Sequence, residues 1–193
     1  MTSRHNMASI VSLMVAILMI VGASCALLIS PASAMESSVI DNANILSKST
    51  KDELSKINST LESKHDGAQL LVVTVRSLNG KSIEDVSMSY AEKYKPGSKG
   101  KDNGLVYIIA EKEHKDRLEV GYGLESTITD SISSDIISQG HSDYSESNWD
   151  AGVLKVANAV LSAEGGGSVT PSDDSSGLYK AMLVVFGIPA LVF

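Results

Sequence analysis

Apolar positions along the middle of the chain recur with two different periods. Leu54, Ile57 and Leu61 share one helical stripe behind Thr50-Lys51-Asp52-Glu53, which reads as a capping box, and His65-Asp66-Gly67 closes that helix. Ala68 to Val75 is a continuous apolar, β-branched run, the pattern of a strand covered on both faces. Asn79-Gly80 turns the chain, and Ser82 to Asp85 caps a second helix bearing Ile83, Val86, Tyr90 and Tyr94, which Pro96-Gly97 ends. Gly104 to Ala110 repeats the buried-strand pattern. The polar stretch Glu111 to Asp116 then turns into Arg117-Leu118-Glu119-Val120, which alternates like a half-covered strand. Asp130 opens a helix with Ile132, Ile136 and Ile137. A polar segment runs through Trp149, and a last helix carries Val153, Val156, Val160 and Leu161.

The order α-β-α-β-β-α-α, with buried-type strands set among helices, predicts a three-layer α/β/α sandwich with a mixed sheet over residues 36–163. No internal repeat is visible. On either side the pattern becomes apolar without period. Ala8 to Ile29 follows Arg4 and His5, and Pro31-Ala32-Ser33-Ala34 fits a small-residue cleavage site. Residues 1–34 are therefore expected to be a signal peptide. An N-terminal anchor is the alternative, because the apolar run is long enough to span a bilayer. In both cases the chain from residue 35 onward is exported, with its domain on the extracytoplasmic side.

Cys25, the only cysteine, lies in that leader. Gly22 stands where a lipoprotein signal needs a branched apolar residue, so lipidation is not expected. The exported part then has no disulfide and no thiolate chemistry. Residues 164–177 read as a Gly/Ser/Asp linker. Residues 178–193 are apolar apart from Lys180 and are expected to form a partial transmembrane helix, tethering the module to a membrane.

The net charge of -7 is unevenly spread: from Glu119 to Gly177 there are ten Asp/Glu and one base, Lys155. Such a face repels nucleic acid and draws cations or basic partners. No basic stripe interleaved with aromatics is present, so nucleic acid is not an expected partner.

Two glycine-bearing turns bracket the most strand-like part of the chain: Lys101-Asp102-Asn103-Gly104 and Gly121-Tyr122-Gly123-Leu124-Glu125, with Asp130 shortly after. Glycine serves where φ is positive or where something approaches the backbone closely. Asp102, Glu125 and Asp130 could together supply part of the oxygen set that calcium requires. The plain reading stands beside it: Asp-Asn-Gly is a strong turn sequence, Asp130 a natural helix N-cap, and Glu125 a solvated loop residue. On residues alone the turn reading is the stronger.

These same pieces resemble the TPM domain family of thylakoid-lumen photosystem-repair proteins and bacterial membrane-tethered exported proteins. The resemblance rests on Val39-Ile40-Asp41 with Ile45-Leu46-Ser47, the strand Gln69 to Val75 with Ser77 to Glu84, and Gly100 to Leu105. It continues through Arg117 to Glu125 and Thr129-Asp130. It implies an α/β/α sandwich, a divalent-cation site (often calcium) in some members, weak acid phosphatase activity in the plant type, and a role in membrane-complex maintenance. It implies Asp102, Glu125 and Asp130 as metal ligands; no catalytic residue is assigned. Gly140-His141-Ser142-Asp143-Tyr144 departs from the basic-aromatic stretch usual before the last helix.

Other motifs fail. Ser126 stands where a dinucleotide fingerprint needs glycine, and Val75 where a P-loop ending in Gly80-Lys81-Ser82 needs one, so no nucleotide cofactor is expected. No Gly-x-Ser-x-Gly elbow occurs. His65, His114 and His141 lack metal spacing and read as solvated loop residues. Arg117 reads as a strand-edge ion pair before a phosphate ligand. Asn58-Ser59-Thr60 is a glycosylation sequon placed mid-helix. Two functions follow: a cation- and partner-binding exported module, or a metal-dependent phosphatase. The first is favoured, because the chain from Gly121 to Gly152 has no Lys or Arg to clamp a phosphate.

Overall fold

The computed structural model describes residues 37–170. The expected leader and the apolar C-terminal stretch lie outside these residues. Among the described residues no helix is long and apolar enough to cross a membrane.

Four strands form one mixed sheet in the order β1 (Val39–Asp41), β2 (Gln69–Val75), β3 (Gly104–Ala110), β4 (Lys115–Val120). The first three run parallel and β4 returns antiparallel to β3, with Leu105 opposite Val120 and Ala110 opposite Lys115. β2 and β3 are buried on both faces, as their unbroken apolar runs require. Around the sheet stand α1 (Lys48–Lys64), α2 (Ile83–Tyr94), α3 (Asp130–Ser145) and α4 (Trp149–Glu164).

Alternate residues of the central strands feed two separate cores. Leu70, Val72, Leu105, Tyr107 and Ile109 meet α1, α3 and α4 through Leu54, Ile57, Leu61, Ile136, Val153, Val156 and Val160. Leu71, Val73, Val106 and Ile108 meet α2 alone, through Ile83, Val86, Tyr90 and Tyr94. Helices therefore cover both faces of the sheet, and among the described residues the two cores draw on chain from Val39 to Val169. Because β1, β2 and β3 step in one direction while α1 and α2 lie on opposite faces, the two crossovers have opposite hands. One of them is the rare left-handed kind.

Several boundaries differ from the sequence reading. α1 starts one turn before the expected capping box: Ser47 is its N-cap, its hydroxyl accepting the Thr50 N–H at 3.2 Å. Thr50 is buried in the first turn instead. The turn after β3 is two residues shorter than expected, since β4 begins at Lys115. The N-cap of α3 is Thr129, whose hydroxyl accepts the Ile132 N–H at 3.4 Å, so Asp130 is the first helical residue and caps nothing.

α3 also continues through the stretch expected to be a polar segment. Gly140, Tyr144 and Gly152 explain why. The ring of Tyr144 lies between the two glycines, where a Cβ would come within 2.7 Å of it at Gly140 and 2.2 Å at Gly152. Small residues let α3 and α4 close on one aromatic plate, and that packing overrides the polar composition.

Candidate functional site

The two glycine turns meet at one edge of the sheet, beyond the amino end of β3 and the carboxyl end of β4. Their backbones are joined: Gly121 N–H donates to the Gly104 carbonyl at 2.9 Å and Gly123 N–H to the Asp102 carbonyl at 2.9 Å. Neither Gly121 nor Gly123 has positive φ. They serve the close approach. A Cβ at Gly121 would stand 2.1 Å from the Asp102 carbonyl oxygen, and one at Gly123 2.1 Å from that of Lys101. The second turn is a short 3-10 helix, Tyr122–Leu124, anchored by buried Leu124 and, further on, Ile128.

The first turn is not a hairpin, since it links α2 to a strand parallel to β2. Asp102 takes the left-handed conformation, φ 49°. Asn103 is buried and works as a bracket: its Oδ1 accepts the Ser98 N–H at 2.8 Å and its Nδ2 donates to the Asp66 carbonyl at 3.1 Å. Gln69 fastens the same corner by accepting the Gly97 N–H at 2.8 Å, while its amide nitrogen donates to Glu62.

Asp102, Glu125 and Asp130 are all exposed, and none makes a side-chain hydrogen bond or ion pair among the described residues. Asp102 and Glu125 stand on the two joined turns, and Asp130 opens α3 five residues beyond Glu125. Among the described residues no three His, Cys, Asp or Glu side chains gather closely enough to hold a metal ion. The donor chemistry, oxygen only and unpaired, suits a hard cation. The geometry supplies an open rim, with no closed cage.

Other polar groups are committed. Arg117 gives Nε to Glu119 at 2.9 Å, with Glu84 at 3.8 Å, which is the strand-edge ion pair expected. His141 lies on α3, with Nε2 3.2 Å from Asp116 Oδ1. It was expected in a loop, and the continuation of α3 moves it. Asp116 Oδ2 accepts from the buried Tyr107 hydroxyl at 2.7 Å, and that hydroxyl lies 2.8 Å from Tyr144's. Burial first, then the neighbouring Tyr144 and Asp116, pushes the Tyr107 phenol well up. Nothing in the strand pattern announced this chain, since Tyr107 reads as one more apolar strand residue. Asn58 is buried with Oδ1 accepting the Leu70 N–H at 2.7 Å, which removes the sequon from reach.

This geometry defines an α/β domain with helices on both faces of a mixed sheet and an acidic pair of turns at one edge. Residues 39–163 match the TPM domain, and the chain belongs to that family. Comparison with curated proteins finds no match. Among solved structures, the N-terminal domain of a protein from P. gingivalis is 24% identical, covers 69% of this chain and 85% of its own, and has TM-score 0.62. The N-terminal domain of the cg2496 protein from Corynebacterium glutamicum is 19% identical, with TM-score 0.55 over 77% of this chain and 91% of its own. BA42 from the psychrophilic bacterium Bizionia argentinensis is 12% identical, with TM-score 0.54 over 68% and 90%. At these identities the likeness is one of fold.

Proposed function

We propose that this chain is an exported, membrane-tethered TPM-domain module that binds a divalent cation, calcium by chemistry, at its joined turns. There it would meet a protein partner in maintaining an envelope or membrane complex. The observation that carries the reading is the junction itself: two turns locked by Gly121 and Gly123 present Asp102 and Glu125, exposed and unpaired, with Asp130 following. An ion there would take carboxylate oxygens and complete its shell with water, the arrangement of weak extracellular sites with Kd of about 10⁻⁴–10⁻³ M. Tyr122 is 82% exposed on the same turn and offers a partner an aromatic anchor beside the acidic rim.

A phosphatase built on these carboxylates is the weaker reading. Arg117 is already paired with Glu119 and Lys155 with Asp143 at 2.6 Å, and the segment from Gly121 to Gly152 itself has no Lys or Arg. The cation would have to neutralise phosphate alone.

Calorimetric titration of residues 35–170 with calcium tests the proposal. Saturable heat and a rise in melting temperature are expected, both weakened at least about tenfold in Asp102→Ala. No heat and no thermal shift would leave the turns purely structural. Phosphate-ester turnover that depends on Asp102 and is abolished by chelator would instead promote the enzyme reading.

A further inference from the structure

At the opposite, carboxyl edge of the parallel strands the chain parts. After β1 it leaves toward the α1 face, and after β2 toward the α2 face. In open α/β sheets such a parting leaves a crevice beyond the strand ends, and ligands bind there. Here the crevice is a groove of ≈ 480 Å³ between the ends of β1 and β2 and the flank of α2 that carries Val86, Tyr90 and Tyr94. That volume lies within the range of small-molecule sites, roughly 300–1,000 Å³.

Its lining is distinctive for an acidic chain. Lys81 and Lys93 both border it, neither makes an ion pair among the described residues, and no carboxylate lines it. Tyr90 and Tyr94 stack with ring centroids 5.9 Å apart and planes within 9°, and Lys93 Nζ lies 4.7 Å from the Tyr94 centroid. Asn42 donates from Nδ2 to the Tyr90 hydroxyl at 3.0 Å, tying the end of β1 to α2. The Glu113 carboxylate, beside the groove's loop wall, is already engaged: it accepts the Ser77 hydroxyl at 2.6 Å and the Leu78 N–H at 3.2 Å.

We propose that this groove is a second binding site, for a small anion with a flat apolar body, such as an aromatic carboxylate or phosphate ester. The stacked tyrosines and the apolar walls (Ile40 and Val75 among them) receive the body. Lys81 and Lys93 receive the charge at the rim, Lys93 from its place over the Tyr94 ring. The site uses none of Asp102, Glu125 or Asp130, so it stands or falls independently of the cation reading.

Residues 35–170 are used for the test, since they contain the whole family match at 39–163 and N-terminal domains of the same fold have been solved alone. Backbone amide spectra would be followed during titration with phenyl phosphate, benzoate, benzyl alcohol and inorganic phosphate, without divalent cation. Saturable shifts are expected at Asn42, Ser77, Tyr90 and Tyr94 with phenyl phosphate or benzoate, at Kd of about 1 mM or tighter. Lys81→Glu with Lys93→Glu should weaken binding at least about tenfold while leaving the remaining spectrum in place. Absence of saturable shifts, or binding unchanged in the double variant, overturns the proposal. So does binding of benzyl alcohol or of inorganic phosphate as tight as that of the combined ligand, since the groove would then select only one half of it.

Discussion

Single residues hold this fold at points where a side chain has one possible neighbour. Gly152 is the clearest. A methyl there would stand 2.2 Å from Tyr144 Cε1, and the ring cannot retreat because its hydroxyl is tied to Tyr107. Gly152→Ala should therefore destabilise by about 1–3 kcal/mol, despite alanine's better helix propensity, as a lower urea midpoint would record. Asp41 is a second such point. Burial alone would raise its carboxyl, but hydrogen bonds from Lys51, Thr74 and the amides of Ile45 and Leu46 outweigh burial and hold it below the ordinary range. Its folded value is lowered, so its contribution is present above the ordinary aspartate range and is lost as pH falls through the folded value. Asp41→Asn should cost about 2 kcal/mol at neutral pH, a gap to wild type that closes in acid. Glu164 is the opposite case. Burial raises its carboxyl, and Oε1 has no hydrogen-bond partner among the described residues. Above both values the charge opposes folding, so Glu164→Gln should raise the melting temperature at pH 7. Below the ordinary glutamate range the two proteins should melt alike.

At the scale of elements, three of the four strands and three of the four helices were legible because their apolar periods are strong and their stop signals conventional; β1, only three residues long, carries no period to read and was missed. Gly104–Ala110 and the helix from Ile83 to Tyr94 appear where the pattern placed them. What the sequence hid was tertiary in origin. Ser47 displaced Thr50 as cap because Asp150 takes the Ser47 N–H at 2.9 Å, a contact with a residue on the far side of the chain. α3 ran on through Gly140 because a ring from its own next turn fills the space a side chain would need. Of the candidate site, the three carboxylates and the two turns could be read. The purpose of Gly121 and Gly123 could not, since close approach shows only when the partner strand is in place. Gly123→Ala should force the two turns apart at a cost of about 1–3 kcal/mol and weaken any calcium response with it, measurable by denaturation and titration together.

Over the whole domain, the two edges of the sheet are differently equipped. The amino edge carries the exposed Asp102, Glu125 and Asp130 beside a loop bearing Lys95, Lys99 and Lys101, the carboxyl edge is bordered by Lys81 and Lys93, and β2 and β3 run between them. Among the described residues the sheet is also unequally clothed: three helices lie over one face, and α2 alone over the other. Stability should follow that imbalance. Amides of α2 are expected to exchange with solvent through a partial opening of lower free energy than global unfolding, while β2, β3 and α4 exchange last. Uniform protection of α2 and α4 would contradict this. The lone helix would then be a hatch on an otherwise closed body. Whatever molecule settled against Tyr90 and Tyr94 would act as its latch, and would register first as slower deuterium uptake along that single helix.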